Sequence, residues 1–212
     1  MGPGRAMGGR ATLGLVPGRV ITAVLRRDVR TLALRGDALA ELKRFDEALS
    51  HYRAALALEG KSAERHVGMA NALYSAGRLD EAVKHYETAL ELFPAHAPAH
   101  NRLGIALTAQ GKVAEANVHY QEAVRLRPEN SEYHYNLGLG FINARRHSEA
   151  AAHFQEAVRL KPDYGDALLH LGMAQSAQGA LSAAKDALTQ AMSIPEFAAE
   201  ARYHLGLVMA KE

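Results

Sequence analysis

Residues 131–164 read SEYHYNLGLGFINARRHSEAAAHFQEAVRLKPDY. Within them His134, Leu137, Gly138 and Phe141 fall at i, i+3, i+4 and i+7, one stripe of an α-helix. Ala150, Phe154 and Ala157 form a second stripe, and the short segment Asn143-Ala-Arg-Arg-His147 between them folds the two helices into an antiparallel hairpin. Outward from this unit the same pattern recurs every 34 residues without insertion, in registers starting at 29, 63, 97, 131 and 165. The eighth place holds Gly36, Ala70, Gly104, Gly138 and Gly172, and an incomplete sixth copy supplies Gly206. Alanine fills the twentieth place (Ala48, Ala82, Ala116, Ala150, Ala184) and the twenty-seventh (Ala55, Ala89, Ala123, Ala157, Ala191). Between these stand Tyr52, Tyr86, Tyr120, Phe154 and Leu188, and Pro94, Pro128 and Pro162 close three of the units.

Glycine inside a helix costs roughly 1 kcal/mol against alanine, so its recurrence at the eighth place predicts close helix approach. A bulky residue there should overpack by about 1 to 3 kcal/mol. Gly77, Gly111 and Gly179 recur in the turn between the two helices, where glycine suits a helix C-cap.

The pattern resembles the tetratricopeptide repeat family, whose signature is an aromatic, Leu-Gly and Tyr in a first helix, then Ala, Phe and Pro in and after a second. The resemblance runs from Val29 to Glu212. It implies an all-α fold, an α-solenoid in which antiparallel helix pairs wind into a right-handed superhelix. Its five units would be 29–62, 63–96, 97–130, 131–164 and 165–198, with a terminal helix at 199–212 that is a partial sixth repeat or a cap. Upstream, the Gly/Arg-rich residues 1–18 read as a disordered tail and 19–28 as a helical lead-in. A tail for nucleic acid or a membrane surface is the other reading of that composition, while the apolar stretch Val20–Leu25 is short for a secretory signal.

Composition agrees with an elongated body whose thin core is shared between neighbouring repeats: 48% of residues are hydrophobic but only 6% are aromatic. Cysteine is absent, which excludes disulfides, thiolate metal sites and a catalytic cysteine, and makes a reducing cytoplasm the simplest setting. No run reaches the length of a membrane span. The net charge of +2 hides an asymmetry, because residues 1–36 carry seven arginines against Asp28 alone, leaving 18 basic and 22 acidic residues in the rest. Mildly acidic repeats argue against nucleic acid along the array.

Both ends depart from the pattern. Repeat one has Arg35 where leucine is usual and Gly60 where proline is usual, a polar change that suits a capping unit. At the other end Tyr203, Leu205, Leu207, Val208 and Met209 make the last helix unusually apolar, so that either the chain is part of something longer or this surface meets another molecule.

Eleven histidines invite a metal reading, and their registers argue against it. His51, His85, His119 and His153 hold the twenty-third place, and His66, His100 and His134 the fourth, where the family has large residues. They read as replacements of half-buried aromatics. His96 and His100 have a ligand spacing, but Pro98 at a repeat boundary stands between them. Gly111-Lys112 lacks the other glycines of a phosphate loop, and Asp46-Glu47, Asp80-Glu81 and Glu115 read as caps at the positive ends of second helices. No catalytic, cofactor or metal constellation emerges.

By position, the resemblance assigns the concave groove to the first helices. Repeat two contributes Val67, Asn71 and Tyr74, flanked by Glu64 and Ser75; repeat three Asn101, Ile105 and Thr108; repeat four Tyr135, Leu139, Ile142 and Asn143. Repeat five adds Leu169, Met173 and Ser176, and the last helix Tyr203 and Leu207. These places lack the basic residues of the family's carboxylate clamp, and only Asn136 fits an asparagine ladder. The expected partner is a protein or peptide, as an amphipathic helix or an extended apolar segment, held at micromolar-scale affinity. Packing between neighbouring first helices is the competing account of Tyr135, Leu139 and Leu169. Two further readings stay open: a targeting arm of a larger enzyme such as a transferase, and self-assembly through the apolar last helix.

Half-buried neutral imidazoles have lowered pKa values, so the unfolded chain binds more protons and stability falls with pH. The array is expected to melt lower near pH 5 than near pH 7.5, and equal midpoints in thermal scans at the two pH values would overturn this.

Overall fold

The computed structural model describes residues 17–59 and 61–211, which form eleven α-helices and no strand. The tail expected over residues 1–18 lies, up to residue 16, outside the described residues. Helix α1 (Pro17–Glu41) starts at Pro17, whose missing N–H and fixed φ suit a first turn, and runs unbroken into the first repeat. After it come α2 (Phe45–Leu58), α3 (Ala63–Ser75), α4 (Leu79–Leu92), α5 (Ala97–Ala109), α6 (Val113–Leu126), α7 (Ser131–Asn143), α8 (His147–Leu160), α9 (Gly165–Ala177), α10 (Leu181–Met192) and α11 (Ala198–Met209). Each helix packs on the next, in the order α1 to α11, so the chain stacks as a helical solenoid.

Small residues in the seams make this spacing possible. All ten alanines of the twentieth and twenty-seventh places are fully buried. The eighth place of each first helix abuts the twenty-fourth place of its second helix. A Cβ on Gly104 or Gly138 would stand 2.6 Å from Cε1 of Tyr120 or Phe154, and one on Gly172 2.5 Å from Cγ of Leu188. Repeat two fits one methyl there, as the fully buried Ala70.

Turns inside the repeats share one feature that the spacing alone did not show. The fifteenth place is left-handed in all five, at Gly77 (φ 75°), Gly111 (78°) and Gly179 (80°), and also at Lys43 (58°) and Arg145 (59°). A side chain is disfavoured in that region. Asp46, Glu47, Asp80, Glu81 and Glu115 stand in the first turns of their helices, where the helix end is positive, and Glu47 and Glu81, like Glu149, also pair with Arg44, Arg78 and Arg146, which precede those helices without a side-chain cap bond.

One buried cluster runs from Ala48 to Ala187 and a second, around Leu168, Leu169, Leu188 and Val208, closes the C-terminal end. Arg35 of the first unit is exposed.

Two substitutions should move stability in opposite directions. Arg145→Gly relieves a left-handed side chain that is exposed, for a gain of about 1 kcal/mol. Gly138→Val drives methyls into the Phe154 ring, for a loss of about 1 to 3 kcal/mol. Urea unfolding of both variants checks the signs, and the same sign for both would refute the packing argument.

Candidate functional site

First helices touch first helices: α1 meets α3, α3 meets α5, α5 meets α7 and α9 meets α11, while no two second helices make comparable contact among the described residues. The more closely spaced layer lies on the inside of the curve, so the first helices line a groove.

The groove changes character along its length, and the cause lies in the second helices. Tyr52 and Tyr86 reach through from α2 and α4, donating hydrogen bonds to Asp37 Oδ1 (2.5 Å) and Asn71 Oδ1 (2.6 Å). Tyr120 shares a hydrogen bond with Thr108 Oγ1 (3.2 Å), which also donates to Gly104 O (2.9 Å). In repeats four and five the same through-going place is Phe154 or Leu188, without a hydroxyl, and the groove residue fifteen positions earlier is Leu139 or Met173. A polar acceptor for the phenol thus stands in each of repeats one to three, although the place fifteen before Tyr120 is Ile105, and repeats four and five have neither phenol nor acceptor there. Burial pushes the phenols of Tyr52 and Tyr86 upward, reinforced at Tyr52 by the Asp37 carboxylate, and that of Tyr135 up to about 12, so all three remain protonated donors near neutral pH.

The residues that the sequence assigned to the groove differ in exposure. Asn71 and Asn143 are exposed; Val67, Tyr74, Ile105, Thr108, Tyr135, Leu139, Ile142 and Ser176 are half-buried. Met173, Tyr203 and Leu207 are 38%, 64% and 45% exposed. Asn101 is buried, accepting a hydrogen bond from Asn136 Nδ2 (2.9 Å) across the α5–α7 seam. Leu169 is buried too, in the C-terminal cluster with Ala201 and Val208 of α11. Both are engaged with the neighbouring first helix, α7 for Asn101 and α11 for Leu169. Tyr135 is half engaged: its ring lies 5.1 Å from that of Tyr164 and 5.6 Å from that of His170.

Two depressions mark the ends of the groove. One of 660 Å³ is lined by Asp37, Glu41, Lys43, Tyr52 and Asn71, among others. Another of 430 Å³ is lined by Met173, Ser176, Leu188, Leu207 and Lys211, where Lys211 Nζ donates to Ser176 Oγ (3.0 Å). Asp37 and Glu41 were missed in the sequence. Asp37 holds the ninth place of repeat one, fifteen residues before Tyr52, in a unit whose other departures, Arg35 and Gly60, obscure the register.

The histidines do not converge on a metal. His96 Nδ1 accepts from Ala99 N (3.0 Å) as the N-cap of α5, while His100 turns to His119 instead. No group of three or more His, Asp or Glu among the described residues is arranged to hold an ion. No described helix is long and apolar enough to cross a membrane.

Coupling between the through-going residue and the groove is open to a direct test. Phe154→Tyr adds a hydroxyl to a buried ring whose register counterpart in the groove is the apolar Leu139, for an expected loss of about 1 to 3 kcal/mol. Adding Leu139→Asn to the same chain should recover part of it, with a coupling of at least about 0.5 kcal/mol in a four-chain unfolding cycle; strict additivity would break the correspondence.

Two family models, both described as tetratricopeptide repeat, match the chain, one at residues 67–131 and 111–165 and the other at 39–84 and 141–207. A comparison with curated proteins yields no match. Among solved structures, YrrB, described as a TPR protein with an unusual peptide-binding site, is 26% identical, with 76% of this chain and 82% of that one covered at a TM-score of 0.69. MamA of Desulfovibrio magneticus is 22% identical, covering 80% and 96% at 0.72. PilF of Pseudomonas aeruginosa is 19% identical, covering 88% and 91% at 0.70. The last two likenesses are of fold alone.

Proposed function

Because the chain belongs to the tetratricopeptide repeat family, we propose that it is a non-catalytic, cytoplasmic scaffold that holds a segment of another protein in the groove of its first helices. The observation that carries this reading is the exposed apolar surface of Met173, Leu207 and Tyr203 at one end of a groove whose other end offers Asp37 and Asn71. A segment that fits both ends is amphipathic along its length, with apolar anchors toward α9 and α11 and polar or basic groups toward α1 and α3. YrrB, with its described peptide-binding site, supports a peptide ligand by similarity. A targeting arm of a larger enzyme would use the same groove, so the two readings share their surface.

Self-assembly is the second reading, favoured by Tyr203, Leu207 and Met209, exposed at 64%, 45% and 60% on α11. A mass that rises with concentration in light scattering would support it, and a monomer throughout the range would dismiss it.

The groove is tested by the double variant Met173→Glu and Leu207→Glu, both exposed and so compatible with an unchanged helical spectrum. Partners captured by the parent from native lysate should be lost by the variant, with affinities weakened about ten-fold or more, the effect of roughly 1.4 kcal/mol. Equal capture by the two chains would exclude this groove as the binding surface.

A further inference from the structure

Three histidine pairs lie in the seams of repeats two, three and four. His66 of α3 faces His85 of α4, His100 of α5 faces His119 of α6, and His134 of α7 faces His153 of α8, with Nδ1···Nδ1 separations of 3.0, 3.0 and 3.1 Å. Ring centroids are 5.3, 5.3 and 5.4 Å apart, which leaves only a ring radius on either side of the nitrogen–nitrogen contact. The rings therefore meet edge to edge, nitrogen to nitrogen, although their planes are within about a third of a right angle of parallel in every pair, at 28°, 28° and 32°. A bridging metal would need both lone pairs aimed at a common point off that axis with further ligands, and no third ligand is in place among the described residues. One shared proton is what the geometry accommodates.

The tautomers follow from the prolines. His100 Nε2 and His134 Nε2 stand 3.0 Å from the carbonyl oxygens of Pro94 and Pro128, which accept only, so these Nε2 atoms carry the hydrogen. In neutral rings their Nδ1 atoms are then bare, and the Nδ1 hydrogens belong to His119 and His153. A first added proton goes to the outer Nε2 of His119 or His153 and leaves the bond between the rings intact. A second must go to Nδ1 of His100 or His134 and point straight at the N–H already there.

We propose that each pair is a single-proton clasp, and that the three together make the seams of repeats two to four open below about pH 6, where unpaired imidazoles would each hold a proton of their own. Burial lowers the pKa of His66, and burial followed by the charge of the partner ring lowers those of His85, His119 and His153. Folded values below the unfolded one near 6.5 mean stability fully present above that pH and lost as pH falls through it. The charged groups facing the pairs shape the first proton. Glu81 favours it at His85 against Arg53 of α2. Glu115 favours it at His119, with Glu87 and Glu91 of α4 lining the same cavity. Glu149 and Glu156 favour it at His153. None of these carboxylates removes the collision of the second.

The test compares the parent with the triple variant His85→Asn, His119→Asn and His153→Asn, whose amide nitrogens fall where Nδ1 stood. An amide donates to the neutral ring and, turned over, accepts from the protonated one, so each variant seam takes up its remaining proton freely. Urea unfolding between pH 6 and pH 5 should show the parent's unfolding constant rising on the order of a hundred-fold more than the variant's, as expected for two to three protons excluded per chain. Equal slopes would overturn the proposal. Should the variant fail to fold, ¹⁵N spectra of the parent's imidazoles at pH 7.5 decide: one protonated and one bare Nδ1 in each pair supports the clasp, and six bare Nδ1 atoms refute it.

Discussion

Everything in this array hangs on the contact between a missing or minimal side chain at the eighth place and a large one at the twenty-fourth. Gly36 meets the Tyr52 ring, Gly104 that of Tyr120 and Gly138 that of Phe154, at distances where a Cβ would need its neighbour to yield. That contact sets how near the two helices of a repeat approach. Near approach buries the alanines on either side, and their burial excludes water from the seam. It also delivers the tip of the large residue to the groove, where its hydroxyl, or the lack of one, decides what the groove residue above it has to be. A packing rule in the core is thereby linked to the polarity of the groove.

Seen from that contact, the repeats with a phenol and those without it are two answers to one buried-group problem. A phenol that emerges between first helices needs an acceptor, and Asp37, Asn71 and Thr108 provide it. A phenyl or isobutyl group needs none, and the places fifteen residues before Phe154 and Leu188 are the apolar Leu139 and Met173. No separate binding residues need to be invoked for the gradient to exist.

The period, the helix pairs and the alanine seams were legible in the sequence because each rests on local rules applied five times over. Groove membership was less so. Asn101 and Leu169 occupy register places that face the groove in principle, yet Asn136 engages the first and α11 the second. Whether a neighbouring first helix leans over a residue depends on the rotation between repeats, which no single repeat encodes. The histidines illustrate the same divide. Both registers, the fourth and the twenty-third, were visible, and their separation of 19 residues recurs in three units. That the two rings meet nitrogen to nitrogen depends on side-chain directions across a seam, which periodicity does not carry. Likewise, glycine at three turns revealed the left-handed place, while Lys43 and Arg145 concealed it at the other two.

The unequal layers have a mechanical consequence. Four neighbouring pairs of first helices adjoin one another, whereas no two second helices do so to a comparable extent among the described residues. Tightening the curve would press together helices that already adjoin, where repulsion rises steeply; flattening it separates the inner helices and brings the outer ones nearer. Such a body is an asymmetric spring, hard in one direction and soft in the other. A thick ligand could spread it at modest cost, and a thin one could not draw it closed, so the resting curvature sets the narrowest object that the array can grip.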